Sequence, residues 1–313
     1  MRDMDHRAEL RDFLRSHRAR LNPESAGVVS SGGARRVPGL RREEVAHLAG
    51  VSPDYYTRLE QGRHPKVSDG VLDAVARALR LSPVERDHLY HLARPSAVSA
   101  PKEQAIQRVR PEVHQVLDAL GDVSPAFVVN HRLDVLASNH LARALLTDFE
   151  ALPARERNIA RFVLFSPAAR ELYADWEAVA QIMVANLRLS SGRYPDDTRL
   201  NELIGEACVK VPEFNAWWAS HTLDACGYGT QHLHHAVVGD LTLHHESLLF
   251  AKEPGQAICL YTAPPGSASA HNLALLASWT TLEAPPGTGH LNSLTPQTTT
   301  ASRQDRATPH DQR

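Results

Sequence analysis

The sequence predicts an all-α, five-helix domain built on a helix-turn-helix, followed by an α+β domain with an antiparallel sheet. Three observations lead there. Residues 40–63, LRREEVAHLAGVSPDYYTRLEQGR, read as two short helices around a tight turn. Beyond residue 125 the apolar period shifts to hairpin-like alternation, then to a long helical middle, then back to strands. The charge divides along the same line. Residues 1–95 hold 17 Lys and Arg against 13 Asp and Glu, a net of +4, while the remainder holds 17 against 23, a net of −6.

A chain of 313 residues has room for two domains with cores of their own. No apolar run approaches the roughly 20 residues of a membrane span. The opening MRDMDHRAEL lacks the form of a signal peptide, so a soluble cytoplasmic protein with no membrane contact is expected. Cys208, Cys226 and Cys259 are scattered without a CxxC pair and read as free thiols, with no metal or redox framework. The expected boundaries are 1–95 for the basic domain, 96–111 for a linker, 112–283 for the acidic domain and 284–313 for a tail.

Residues 6–21 carry Ala8, Leu10, Phe13, Leu14 and Leu21 at helical spacing with arginines opposite. The Gly-, Ser- and Pro-rich stretch 22–39 is a long loop. Its Arg35 and Arg36 either meet a phosphate or the minor groove, or are simply solvated. In 40–63 the positions that two steeply crossing helices share are Val45, Ala46, Ala49, Val51, Tyr56 and Leu59. Gly50 suits the turn, Ser52 an N-cap, Pro53 the first helical position and Asp54 the first-turn dipole; Gly62 ends the second helix. Ser68–Arg80 repeats the helical period, and Ser82-Pro83-Val84-Glu85 reads as a capping box opening a fifth helix to about Ala93.

This half resembles the XRE family of helix-turn-helix regulators, with a lambda-repressor-like fold. The carriers are the EEVAHLAGVS turn and the YYTRLEQGR second helix, and the resemblance covers roughly residues 6–93. It implies double-stranded DNA as partner, with Pro53, Asp54, Thr57 and Arg58 at the groove-facing positions and Arg42, Ser52 and Arg63 at phosphates. Side-chain chemistry then sets what each reads. Arg58 offers two donors to guanine O6 and N7, Asp54 only accepts and so suits a cytosine amino group, and Thr57 meets a thymine methyl or a base edge. The competing role for Arg58 is an i,i+4 surface ion pair with Asp54.

In the second half, residues 112–121 read as a helix. AFVVN, a polar turn at His131-Arg132 and LDVLAS then form a hairpin, with Asn139 placed to cap the next helix. Residues 158–220 are mostly helical, strongest over Asp175–Leu189 and Thr198–Val209. HLHHAVV, a Gly239-Asp240 turn, LTLHHESLLF, a Gly255 turn and QAICLYTA return to strands, and Asn272–Trp279 closes as a helix. The stretches VVNHRLDVLASNHLARAL, NIARFVLFSPAARELYADWEAVA and VVGDLTLHHESLLFAKEPGQAICLYTAPPGS resemble the MmyB-like ligand-binding domain, a PAS-like module. With GGARRVPGLRREEVA, the combined resemblance spans roughly residues 6–280. Ser138, in place of a large aromatic, and Gln231-His232, in place of a basic pair, depart from its pattern.

The resemblance implies a transcription regulator that senses a small apolar, fatty-acid-like effector. Phe162, Phe165, Tyr173, Trp176, Trp217 and Trp218 are the aromatic candidates for its pocket, ordinary core being the competing role. His232, His234, His235, His244 and His245 with Glu246 are the candidate metal ligands, but alternation sends neighbours to opposite faces and favours a solvated or hydrogen-bonded sheet face. No GxSxG elbow, P-loop or dinucleotide glycine motif occurs, so no enzyme and no cofactor are expected. The Pro-, Thr- and Gln-rich tail from Ala284 has too few large apolar residues to offset its ordering entropy. The resulting expectation is a one-component regulator acting as a homodimer on an operator. The alternatives are an adaptor or antitoxin-type protein whose second half binds a protein, and a C-terminal metal-dependent enzyme.

Overall fold

A computed structural model describes residues 2–26, 39–63, 67–94, 108–221 and 227–283. Most of the expected loop with Arg35 and Arg36, most of the linker and the whole tail lie outside the described residues.

The first domain is helical: α1 (Arg2–Arg20), α2 (Arg42–Leu48), α3 (Pro53–Glu60), α4 (Asp69–Ala78) and α5 (Pro83–Ala93). Its core joins Phe13 and Leu14 of α1 to Val45, Tyr56, Leu59, Leu72, Val75, Leu89 and Leu92. The helix boundaries follow local chemistry. Gly50 takes φ +67° between α2 and α3, where a side chain would be strained. The Ser52 hydroxyl accepts the Tyr55 N–H at 3.1 Å and Pro53 opens α3. Ser82 and Glu85 form the reciprocal capping box, with bonds of 3.2 and 2.7 Å. Glu85 also accepts from His17 Nε2 at 2.9 Å, tying α5 to α1. The hydrogen bond from His17 is the leading reason its carboxyl is pulled down to about 2.

The second domain runs α6 (Pro111–Leu120), β1 (Ala126–Val129), β2 (Val135–Ser138), α7 (His140–Leu145), α8 (Ile159–Phe165), α9 (Pro167–Leu172), α10 (Trp176–Arg193), α11 (Thr198–Lys210), α12 (Phe214–Ser220), β3 (Tyr228–His235), β4 (Gly239–Leu249), β5 (Ala257–Thr262) and α13 (Ala268–Glu283). Its five strands are antiparallel in the order β2-β1-β5-β4-β3. Asn139 caps α7, its side chain accepting the Ala142 N–H at 2.9 Å.

The strand pattern needs one correction. The β3–β4 turn is Ala236–Val238, one step earlier than the Gly239-Asp240 expected from sequence. His235 pairs with Gly239, so Gly239 already belongs to β4. The His235 ring nitrogen accepts the Val237 N–H at 3.2 Å, and Gly239 closes the three-residue loop with φ +74°. Two valines that look like strand are therefore turn.

The helices α7–α13 pack on the inner sheet face, which carries Phe127, Val129, Leu233, Leu241, Leu243, Ala257 and Tyr261 into the main core. α6 packs on the opposite face, with Val113 and Leu117 against Val128 and Ile258.

Candidate functional site

Two sites emerge, one on each domain, with α10 between them. On the first domain, α3 presents Ser52, Pro53, Asp54 and Arg58 to solvent. Asp54 and Arg58 form the i,i+4 pair at 3.2 Å, with side chains 77% and 52% exposed. So exposed a pair is worth only a few tenths of a kcal/mol, about what a base edge or phosphate must displace. The Thr57 hydroxyl donates to the Pro53 carbonyl at 2.7 Å, which leaves its oxygen able to accept. Arg63 is exposed just past α3, its backbone N–H bonded to the Arg58 carbonyl at 2.9 Å.

Arg42 has a second tie. Its Nε donates to Glu60 Oε1 at 2.8 Å, and Glu60, fully buried, also accepts from Arg18 Nε at 3.1 Å. Arg18 in turn donates to the Leu40 carbonyl at 2.7 Å. A buried carboxylate shared by two guanidinium groups clamps α3 to α1 and α2. Arg42 keeps about half its side chain in solvent, so a phosphate would meet a guanidinium already held in place.

On the second domain a cavity of about 340 Å³ opens between the inner sheet face and the helices. That lies within the size range of small-molecule sites. α10 supplies Val179, Ile182, Met183, Asn186, Ser190 and Arg193, the i, i+3, i+4 stripe of one helical face. The sheet supplies Phe127, Val129, Gln231, His245 and Tyr261.

Of the aromatic residues singled out from sequence, Tyr173 lines this cavity; Phe162, Phe165, Trp176, Trp217 and Trp218 do not. Their helical spacing serves contacts between helices instead. Phe162 packs edge-on to Phe149, with ring centroids 6.0 Å apart. Phe165 lies under the Arg161 guanidinium at 5.3 Å. Trp176 donates to the Val163 carbonyl at 2.7 Å and sits 5.9 Å from Trp217. Trp218 stacks on Phe214 at 5.5 Å.

Sequence reasoning missed His131, Gln231 and His245. Strand alternation anchored on the buried Leu233 and Leu243 places Gln231 and His245 inward, so a period-2 reading carried that signal. The same alternation splits the histidines. His232 and His234 pair across strands with Thr242 and Asp240 on the exposed face, at 3.1 and 2.6 Å. Among the described residues, no group of three or more His, Cys, Asp or Glu is placed to hold a metal ion.

The two domains meet at α10. Leu189 lines the cavity and also packs against the helical-domain core. Arg188, on the other side of α10, is buried. Its guanidinium pairs with Glu9 of α1, donates to the Trp218 carbonyl and to His221 Nδ1 (2.8 Å), and lies 4.3 Å from the Trp218 ring centroid. Gly192 leaves room for His88 of α5, since a Cβ there would stand 2.6 Å from the His88 ring. Burial first, and the Arg188 charge second, hold His88 and His221 each down to about 3.

Residues 109–276, more than half of the chain, match the model of the MmyB-like transcription regulator ligand binding domain. The chain belongs to that family. Residues 9–89 of this MmyB-like regulator match a helix-turn-helix domain. No curated protein matches the chain. The two domains together make this MmyB-like protein a DNA-binding transcription regulator, with regulation rather than catalysis as its family role. No helix among the described residues is long and apolar enough to cross a membrane.

Proposed function

We propose that this chain is a one-component, sequence-specific regulator of the XRE type whose PAS-like second domain takes a small apolar effector, with a fatty-acid-like body. Arg58 reads a guanine, Asp54 a cytosine amino group, Thr57 a thymine methyl or base edge, and Pro53 packs in the groove. Arg42, Ser52 and Arg63, with Arg35 and Arg36 from the loop, meet phosphates and set the docking register. The operator is bound as a homodimer on half-sites roughly one helical turn apart, because one small module buries modest surface on DNA.

The observation that carries this reading is α10. One of its faces walls the cavity, while Leu189 and Arg188 of the same helix touch the DNA-binding domain. An occupant that shifts α10 therefore biases how α1 and α5 are held, and with them α3.

Genome-wide footprinting of the full chain, with and without Arg58→Ala, tests the proposal. Discrete sites made of paired half-sites are expected for the native chain. The variant should lose their preference and retain salt-sensitive non-specific binding. Unchanged footprints in the variant would remove Arg58 from base reading, and the absence of discrete sites in the native chain would remove sequence-specific regulation.

A further inference from the structure

We infer that the homodimer proposed above, on which this step rests, is made by the outer face of α13. That helix packs against its equivalent in a second copy of the chain, across a two-fold axis near Leu275.

α13 is unusual in its composition. From Ala268 to Leu282 it carries no Asp, Glu, Lys or Arg. Every other described helix of eight or more residues carries at least two. A surface helix ordinarily sets charged side chains opposite its apolar stripe. One side of α13 is already committed. Leu273, Leu276 and Ala277 are buried in the main core. The Ser269 hydroxyl accepts the Thr242 N–H at 2.8 Å, and the Asn272 side chain donates to the Val238 carbonyl at 2.9 Å. These contacts fix the rotation of the helix about its axis, so its other side stays at the surface.

That other side carries Ala268, His271, Leu275 and Ser278, all exposed. They follow one another at three, four and three residues, the spacing by which one helix meets another along a seam. Leu275 is 50% exposed and Trp279, one turn on, 55%. The turn held to α13 by the Asn272 bond adds the half-exposed Val237. Other exposed valines, such as Val84 and Val209, stand singly beside Glu85 and Lys210, as is common on protein surfaces.

Charge and symmetry favour a second copy as the occupant. Residues 96–313 carry a net of −6, so two copies repel each other over most of this half. α13 offers an uncharged strip where they can meet without that cost. A two-fold contact must also be self-complementary. On an axis near Leu275 that side chain meets the partner's Leu275, and the small Ala268, Ala274 and Ser278 let the two backbones come close. The chain's own tail is a poor cover, since Leu291 and Leu294 are its only large apolar residues. A lipid surface would call for Lys or Arg beside the apolar stripe, and the stretch has none.

Sedimentation of the full chain over a micromolar concentration series tests this. The native chain should form a dimer. Leu275→Glu places two like charges on the axis and should raise the dimer dissociation constant about a hundredfold, with an unchanged far-ultraviolet circular dichroism spectrum. If that variant fails to fold, Ser278→Arg, at an exposed polar position, should act in the same way. Leu275→Cys should give a disulfide-linked dimer on mild oxidation, whereas the native chain and Val209→Cys on α11 should not. Removing residues 284–313 should leave the dimer as it is. A native-strength dimer in the charged variants, with no cross-link through Leu275→Cys, would overturn the inference and leave the homodimer standing. A dimer that forms only once the tail is removed would assign the face to the tail and also overturn it. A native chain that stays monomeric, with and without the DNA recovered by footprinting, would overturn the homodimer together with the inference.

Discussion

Replacing Glu9 by Leu and Arg188 by Met, singly and together, measures how firmly the two domains hold each other. The Arg188 side chain is 2% exposed and that of Glu9 23%. Burial lowers the Arg188 pKa and raises that of Glu9 against the pull of the Arg188 charge, so both groups resist ionisation where they sit. Desolvation thus takes back much of what the pair gains, and removing one partner strands the other. Breaking a fully buried pair costs 3–5 kcal/mol; the water still reaching Glu9 brings each single variant to about 3 kcal/mol. Simple addition would then give about 6 kcal/mol. In the double variant no charge is stranded. What remains is the Trp218 carbonyl and His221 Nδ1 without their donor, at about 1 kcal/mol each. The double variant should therefore lose only about 2 kcal/mol, less than either single one, with a coupling of roughly 4 kcal/mol. Urea unfolding followed by tryptophan fluorescence reads this directly, because Trp218 lies under the guanidinium. Additive losses within about 0.5 kcal/mol would refute the idea that this pair joins the domains.

Three further outcomes follow from the same geometry. Gly192→Ala should destabilise the chain by about 1–3 kcal/mol, since the added methyl would overlap the His88 ring between α10 and α5; a melting point unchanged from the native chain would contradict that packing. His88 and His221 sit at about 3 when folded against an ordinary 6.5, so between those values the unfolded chain binds protons that the folded chain does not. Stability must then fall with acidification, by up to about 1.4 kcal/mol per pH unit for each histidine, and a urea midpoint that is flat from pH 7.5 to 5 would exclude it. Asp197, held near 2 by the hydrogen bonds of His131 and Leu200 despite burial, adds its own loss only below the ordinary carboxylate range, outside that window.

What could be read from the residues was whatever depends on neighbours in sequence. Ser52, Gly50 and Pro53 announce the helix-turn-helix because caps and turns are local chemistry, and Ser82 with Glu85 does the same for α5. The hairpins of β1–β2 and β3–β4 were legible from alternation, apart from the Val237-Val238 turn, where β-branched residues masked a three-residue loop. The cavity was harder to see. Of the aromatic residues singled out at helical spacing, Tyr173 reaches the cavity while the others fill gaps between helices; the wall is completed by Ile182 and Met183 of α10 and by Phe127, Tyr194 and Tyr261, whose roles depend on strands and turns brought together by the fold. Glu60 reads as an ordinary surface acid of a short helix until Arg18 and Arg42 arrive from elsewhere in the chain.

α10 shows why the link between the sites leaves so little trace in sequence. A helix exposed on one side carries a polar stripe, and its absence ordinarily signals core. α10 buries Val179, Val184 and Leu187, and it also buries Arg188 and Gly192. An arginine and a glycine in such a helix read as a solvent-facing charge and a weak point. Each takes its meaning from the other domain: Arg188 from Glu9, Gly192 from His88. Because those partners lie more than a hundred residues away, no local period encodes them. The consequence is mechanical as well. Apart from Glu177, Ala178, Gln181 and Arg193, which are exposed, α10 is enclosed by the cavity on one side and the DNA-binding domain on the other, and close-packed interfaces respond by moving as units. On the proposed reading, an occupant set against Ile182 and Met183 is felt at Leu189 and Arg188, within two turns of the same helix.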